Sequence, residues 1–263
     1  MVNLIYSNDD NVVPIYCLMI TGKTKKRQSF AKIAVKNFIQ QTYSNKHLII
    51  INEGDYSVIG GNEQNKYSNI IEIPIDKKGL KLTLGDLRNI SLEMVPLGAI
   101  WTTWDDDDWR HDNYLETLYK GLVKSPGNPK YLLFKNRLDH NLNTKFSWRV
   151  RMTKGTFIVF AFKDPDIKYD ELDSKEDLVV RNYILSKFPE ETIILENDPK
   201  IYVRFVHNDN TSVYVNKNKK EINSVTSTYS KSSSLKEFSV TSTENNYITK
   251  IINMHFKDFV SNK

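Results

Sequence analysis

Four consecutive carboxylates, Asp105, Asp106, Asp107 and Asp108, stand directly behind an apolar stretch, residues 98–104. Their charges repel, and at the end of a strand that repulsion costs stability unless a cation or hydrogen-bond donors offset it. In extended chain the period-two alternation sends Asp105 and Asp107 to one side and Asp106 and Asp108 to the other. Two carboxylates on one side can share a hard divalent ion, which takes oxygen ligands and completes its shell with waters and phosphates. The sequence offers no His or Cys cluster, so the expected ion is Mn2+ or Mg2+ rather than Zn2+. Trp104 and Trp109 bracket the run, which separates it from an ordinary solvated acidic loop.

Such a run needs a scaffold, and the first half of the chain supplies one. Residues 14–20 form a short apolar run bounded by Pro14 and by Thr21-Gly22-Lys23, the pattern of a buried strand feeding a loop. From Ser29 to about Thr42, Phe30, Ile33, Ala34, Val35, Phe38 and Ile39 fall on one helical face. Residues 47–51 are continuously apolar, as expected of a parallel strand covered on both sides, and break at Asn52-Glu53-Gly54. The alternation continues with a strand at 70–75 and a helix from about Thr83 lined by Leu84, Leu87, Ile90, Met94 and Val95. Then comes the strand that ends in the acids, and a helical stripe of Tyr114, Leu115, Leu118, Tyr119 and Leu122. The order predicts an α/β fold, a mainly parallel central sheet flanked by helices, whose ligands sit beyond the carboxyl ends of the strands.

The second half reads differently. Short aromatic strands are expected at 131–135, 146–152 and 156–162, a helix at 175–188 burying Leu178, Val179, Ile184 and Phe188, and a strand at 201–206. Residues 216–246 are rich in Ser, Thr, Asn and Lys and are expected to be a linker or surface wrap. Residues 247–259, with Ile248, Ile251, Ile252, Met254, Phe256 and Phe259, are expected to be a helix docking on the domain or on a second copy. The resulting division is one domain at 1–215, with an α/β half to about 125 and a smaller mixed region at about 126–215, followed by 216–263 as linker and C-terminal helix.

The 263 residues are 40% hydrophobic and 26% charged, enough to fold one domain of this kind. Lys and Arg number 37 against 32 Asp and Glu, and the resulting +5 is too weak for a dedicated nucleic-acid binder. Cys17 is the single cysteine, which excludes a disulfide framework and fits a reducing compartment. No apolar run nears the ~20 residues of a membrane span. Residues 1–5 lack the form of a signal peptide, so the expectation is a soluble cytoplasmic protein. The abundance of Lys, Asn and Ile is that of an AT-rich genome, such as a virus or parasite.

Several segments together resemble the GT-A glycosyltransferases, in particular the large inverting family numbered 2. They are residues 14–21 with Arg27, the helix ending Phe38-Ile39-Gln40-Gln41-Thr42-Tyr43, residues 47–54, Leu84-Gly85-Asp86-Leu87-Arg88-Asn89, and residues 104–111. The likeness covers roughly residues 14–210. It implies a Rossmann-like GT-A sheet, with Thr21 and Arg27 at the loop over the donor nucleotide. Asn52 and Glu53 take the place of an acidic pair that contacts uracil or ribose, a departure because the family usually has Asp there. Arg88 would lie near the donor. Asp105 and Asp107 match the Asp-x-Asp motif, the first on ribose or a metal water and the second on the ion, and a slip of one residue would bring in Asp106. Arg204 and His207 match a late segment that closes on the donor phosphates, with His207 counted among the metal ligands. Glu176 and Asp177 match an acidic pair before a helix: Asp177 as base toward the acceptor hydroxyl, Glu176 on the acceptor.

The expected function is therefore transfer of a sugar, with inversion, from a nucleotide-diphosphate donor, a UDP-sugar foremost, to a hydroxyl of a glycan, lipid or protein. Trp148 and Phe146 are candidates for stacking on the acceptor sugar or for the core. One alternative is a nucleotidyltransferase, although Gly22-Lys23-Thr24-Lys25-Lys26-Arg27 has the charge of a phosphate loop with only one glycine. Another is a non-catalytic nucleotide- or sugar-binding module on the same fold.

Overall fold

Strands β1 (Ile15–Thr21) and β2 (Lys46–Asn52) pair in parallel from Ile15 opposite Lys46 to Thr21 opposite Asn52, so both chains end at the same edge. On the other side of β1 lies β4 (Ile100–Thr103), also parallel, with Leu18 opposite Thr103. The acids thus leave β4 beside the last residues of β1. This computed structural model describes residues 12–60, 67–75, 81–207 and 235–256. Adding β3 (Ile70–Pro74), β6 (Tyr131–Phe134), β9 (Phe160–Phe162) and β10 (Thr192–Leu195) completes a seven-stranded sheet in the order β10-β6-β9-β4-β1-β2-β3. Only β9 runs against its neighbours, so the sheet is mainly parallel.

Both faces of this sheet are covered, which is why its central strands read as unbroken apolar runs. On one face Cys17, Met19, Leu48 and Ile50 pack against Ala31, Ala34, Val35 and Phe38 of α1 (Lys25–Ile39) and against Leu115, Leu118 and Leu122 of α3 (Tyr114–Val123). On the other face Leu18, Ile20, Ile49 and Ile51 meet Leu87 and Leu92 of α2 (Leu84–Glu93) and Val180 and Ile184 of α4 (Glu176–Lys187). Helix α1 begins four residues before the expected Ser29. Its first turn is basic and carries no apolar signal, but Thr24 caps it, accepting the Arg27 amide at 3.2 Å.

A second, five-stranded sheet runs β12-β8-β7-β11-β5, built from β5 (Trp109–Arg110), β7 (Asn136–Asn141), β8 (Phe146–Met152), β11 (Tyr202–Val206) and β12 (Leu235–Ser239). Strand β12 corrects part of the expected linker at 216–246: its backbone pairs antiparallel with β8, and edge pairing does not need an apolar sequence. Residues 216–234 of that segment lie outside the described residues. The C-terminal helix also starts earlier than expected, as α5 (Ser242–Ile251), because Thr241 and Glu244 form a capping box; a π-helical turn continues it through Ile252–Phe256. It docks on the domain itself, with Ile248, Ile251 and Phe256 packed on Leu138, Val203, Phe205 and Phe30.

The strand expected at 156–162 is confined to its last three residues. Trp148 is buried in a small cluster with Val150, Met152 and Val206, stacked on Phe146 at 5.9 Å, so it is a core residue rather than a platform for sugar. Among the described residues no helix is long and apolar enough to cross a membrane.

Candidate active site

The acids do not continue β4 as extended chain. Asp106 and Asp107 form a turn between β4 and β5, so the expected period-two alternation gives way to a set of specific partners: two arginines for three of the carboxylates, and a hydroxyl and an amide for the fourth. Asp105 accepts from Arg88 Nη2 at 3.1 Å. Asp106 and Asp107 share the guanidinium of Arg27, which donates from Nη1 to Asp107 Oδ2 at 2.6 Å and pairs with Asp106 through Nη2. His207 Nε2 lies 3.0 Å from the same Asp107 oxygen. Asp108 turns inward, taking the Tyr202 hydroxyl and, at 3.1 Å, the Phe205 amide. Asp108 is therefore a tie between the acid turn and β11, while Asp105, Asp106 and Asp107 are held by Arg88 and Arg27.

The electrostatics separate the neighbours. Against the penalty of burial, Arg27 and His207 together hold Asp107 well below the usual carboxylate range. Burial drives Asp106 well above it, with Arg27 and the hydroxyl of Thr21, at the end of β1, opposing. Burial, reinforced by Asp107 and Asp105, pushes Asp108 up to about 7. Beneath the turn lies Arg110, fully buried, its guanidinium 4.2 Å from the Trp104 ring and donating to the Asp105 carbonyl at 3.2 Å.

Helix α1 brings the loop after β1 to this turn. Next to Arg27, Gln28 donates to the Gly22 carbonyl at 2.8 Å and to Asn52 Oδ1 at 3.0 Å. Asn52 also accepts the Gly54 amide at 2.7 Å, and its own Nδ2 donates to Glu72 at 2.6 Å and to the Tyr56 carbonyl at 2.8 Å. Those hydrogen bonds hold the loop after β2 in place. Glu53 is half-buried on that loop. Gly54 is required by crowding, since a Cβ there would lie 2.3 Å from Gln28 Nε2.

Helix α2 brings in the third element. Arg88 bridges, with Nε on Glu176 at 2.8 Å and Nη2 on Asp105. It thereby fastens the head of α4, with Asp177, to the acid turn. Burial raises the Asp177 carboxyl to about 6, Glu176 adding to the rise and Arg88 opposing it. Asn89 clamps the Tyr169 backbone in both directions, at 2.9 and 2.8 Å. Gly85 lets α2 approach the chain before α4: its amide donates to the Leu172 carbonyl at 3.0 Å, and a Cβ would lie 1.8 Å from the Asp170 carbonyl oxygen. Gly85→Ala is therefore expected to cost about 1–3 kcal/mol or more, because backbone must move. Thermal melting checks this; an unchanged midpoint would refute the close approach.

Sequence reasoning missed Arg137 and Asp139 on β7, a buried pair joined at 2.7 and 3.2 Å. Arg204 Nη1 lies 4.0 Å from the same Asp139, and its charge also favours ionised Asp107, so Arg204 stands between the two carboxylates. Tyr202 and Arg110 were missed as well. The Arg-x-Asp spacing on one strand face was the available signal, hidden in a segment too polar to read as a strand.

Among the described residues no three His, Cys, Asp or Glu side chains form a ready-made metal cage. Two protein ligands are enough for Mg2+ or Mn2+, which keep waters and take substrate phosphates. The donor set fits such an ion: Asp107 is held ionised, Asp105 and Asp106 add carboxylate oxygens, and the soft ligand Cys17 is away in the core.

A mainly parallel sheet with helices on both faces and a second mixed sheet make up the GT-A fold. Solved structures share it. S. aureus TarS 1–349 in complex with UDP-GlcNAc superposes with a TM-score of 0.56 at 12% identity, over 93% of this chain and 73% of that one. The same protein in complex with UDP gives 0.52 at 14%, over 73% and 60%. The mannosyltransferase PcManGT from Pyrobaculum calidifontis, in complex with GDP-Man and Mn2+, gives 0.52 at 10%, over 75% and 58%. This chain thus spans about 60% of the length of some of these structures. At such identities the likeness is one of fold. No protein-family model matches the chain, and no curated protein sequence does.

Proposed function

We propose that the chain is an inverting glycosyltransferase that takes its sugar from a nucleoside diphosphate donor, a UDP-sugar foremost, with a divalent cation at the acid turn. The observation that carries this reading is the Arg88 bridge, which ties Asp105 to Glu176 and so sets Asp177 beside the acids. A group able to take a proton and a group able to hold a diphosphate then share one edge. The neighbours' ligands support the donor class: UDP-GlcNAc in one, GDP-Man with Mn2+ in another.

In this reading Asp177 accepts the proton of the acceptor hydroxyl as its oxygen bonds to the anomeric carbon. The bond from that carbon to the diphosphate oxygen breaks on the opposite face, and the electron pair leaves with the diphosphate. Asp107, with Asp105 or Asp106 and His207 at hand, would hold Mn2+ or Mg2+, which would supply positive charge for the departing diphosphate. Arg204 and His207 add charge and hydrogen-bond donors on that side. Thr21 and Glu53 line the loops toward the nucleotide, and Glu176 fixes Arg88 and borders the acceptor.

The test is a panel of nucleotide sugars scored by thermal stabilisation with and without Mn2+, followed by release of nucleoside diphosphate. A cognate donor at about 100 times its Kd should stabilise the fold by about 2.7 kcal/mol. Stabilisation with no nucleoside diphosphate released, alone or with glycan acceptors, would favour a binding module; no stabilisation by any donor would sink the reading.

A further inference from the structure

We propose that Arg27 is a displaceable plug: its guanidinium holds Asp106 and Asp107 until a nucleoside diphosphate draws it away, so that cation and nucleotide load the site together. This rests on the acid turn being a cation and diphosphate site, and adds a control that the reading does not require.

The geometry points this way on three counts. First, two nitrogens of one guanidinium engage two adjacent carboxylates, Nη1 on Asp107 at 2.6 Å and Nη2 on Asp106. A planar fork suits that task better than a point charge. Second, Arg27 and His207 both address Asp107 Oδ2, at 2.6 and 3.0 Å. A divalent ion arriving at that carboxylate meets a guanidinium already in contact with it, in a place where water screens little. Cation binding and the Arg27 contact are therefore mutually exclusive or nearly so. Third, Arg27 reaches in from the rim. Its side chain is 23% exposed, whereas the carboxylates it holds are 0% and 8% exposed. Arg88 and Arg110 approach the turn from within the fold and are buried; Arg27 can leave without disturbing the core.

What would draw it off is also present. Arg27 sits in the first turn of α1, a helix of 15 residues whose N-terminal amides attract anions. The loop before it, at Gly22, is tied by Gln28 to the end of β2. A diphosphate entering beside α1 offers the guanidinium a bidentate partner on the same side, and Asp106 and Asp107 are released to the cation. Linkage makes the effect reciprocal: the factor by which nucleotide tightens cation binding is the factor by which cation tightens nucleotide binding.

The experiment uses the full chain, with Mn2+ binding followed by electron paramagnetic resonance and UDP binding by calorimetry, for the parent, Arg27→Met and Arg27→Lys. The parent is expected to bind Mn2+ about tenfold or more tightly when UDP is present. Arg27→Met should bind Mn2+ alone about tenfold more tightly than the parent and UDP alone more weakly, with a smaller coupling that reflects only direct contact between ion and diphosphate. Arg27→Lys, which keeps the charge without the fork, should fall between and guards against a misfolded methionine variant. Near-UV circular dichroism checks that all three are folded. If Arg27 merely supports the turn, its removal weakens both ligands; that result, or unchanged Mn2+ affinity, overturns the plug while UDP-dependent Mn2+ binding by the parent leaves the functional reading standing. Absence of Mn2+ binding by all three proteins at saturating UDP overturns both.

Discussion

On the proposed mechanism, Asp177→Asn is expected to lower the rate of transfer by about 10²–10⁴-fold while leaving donor binding intact, because the variant loses only the group proposed to accept a proton in the transition state. In the parent, the carboxyl is raised by burial and by Glu176 to about 6. The base works when deprotonated, so kcat/KM should climb with pH to a plateau, with its midpoint near 6, and this limb should vanish in the variant. Stability should move the other way. A carboxyl whose pKa in the folded chain is raised binds its proton more tightly there than in the unfolded chain. Its favourable contribution is complete below the unfolded value of about 3.9 and is lost as pH rises through the folded value. At neutral pH the charged Asp177 is thus a strain on the fold, and the neutral amide should melt no lower than the parent. Calorimetric titration of the donor found in the nucleotide-sugar panel and a thermal melt separate the cases: loss of donor binding together with a lower midpoint would make Asp177 a structural residue and remove it from the mechanism.

The parallel sheet was readable because its physics is local. Residues 48–51 are apolar throughout since both faces of β2 are covered, and Thr83 with Asp86 marks the start of α2 as a reciprocal cap. The acid turn was readable as a cluster and unreadable as a geometry. Its counter-charges arrive from far along the chain: Arg27 is 80 positions from Asp107, His207 is 100 positions from it, and Tyr202 is 94 from Asp108. No window of sequence contains those pairs, and they convert an alternating strand end into a turn in which Asp108 is tied to β11 while Asp105, Asp106 and Asp107 meet Arg88 and Arg27. Strand β7 failed for a related reason. Asn136, Arg137, Asp139, His140 and Asn141 read as a loop until Arg137 neutralises Asp139 and His140 meets Ser147 at 2.8 Å across the sheet. Strand β12 is held by backbone pairing to β8, which leaves little trace in side-chain pattern. The assignments that came from the resemblance fared according to their contacts: Arg88, Asp105, Glu176 and Asp177 come together, as do Arg27, Asp107 and His207, whereas Asn52 is occupied in holding a loop.

Arg88→Met is expected to be the most destabilising single change at the site, by about 3–5 kcal/mol, because it removes one partner of a buried ionic cluster and leaves the others uncompensated. Glu176 is 3% exposed and its carboxylate meets Arg88 Nε at 2.8 Å; Asp105 loses its partner on the other branch of the same guanidinium. The apolar stem of methionine fills the space against Tyr169, whose ring lies 5.7 Å from the guanidinium carbon, so packing alone does not account for the loss. The penalty is one of charge, since both carboxylates lose the guanidinium that they share. Arg88→Lys should recover part of the loss, since a point charge serves one carboxylate and not both. The double variant Arg88→Met with Glu176→Leu should regain most of the stability, as buried ion pairs replaced by apolar residues commonly do. It should stay inactive, because nothing then fastens α4 and Asp177 to the acid turn. A double variant that regained both stability and transfer would show that the Arg88 bridge has no part in assembling the site.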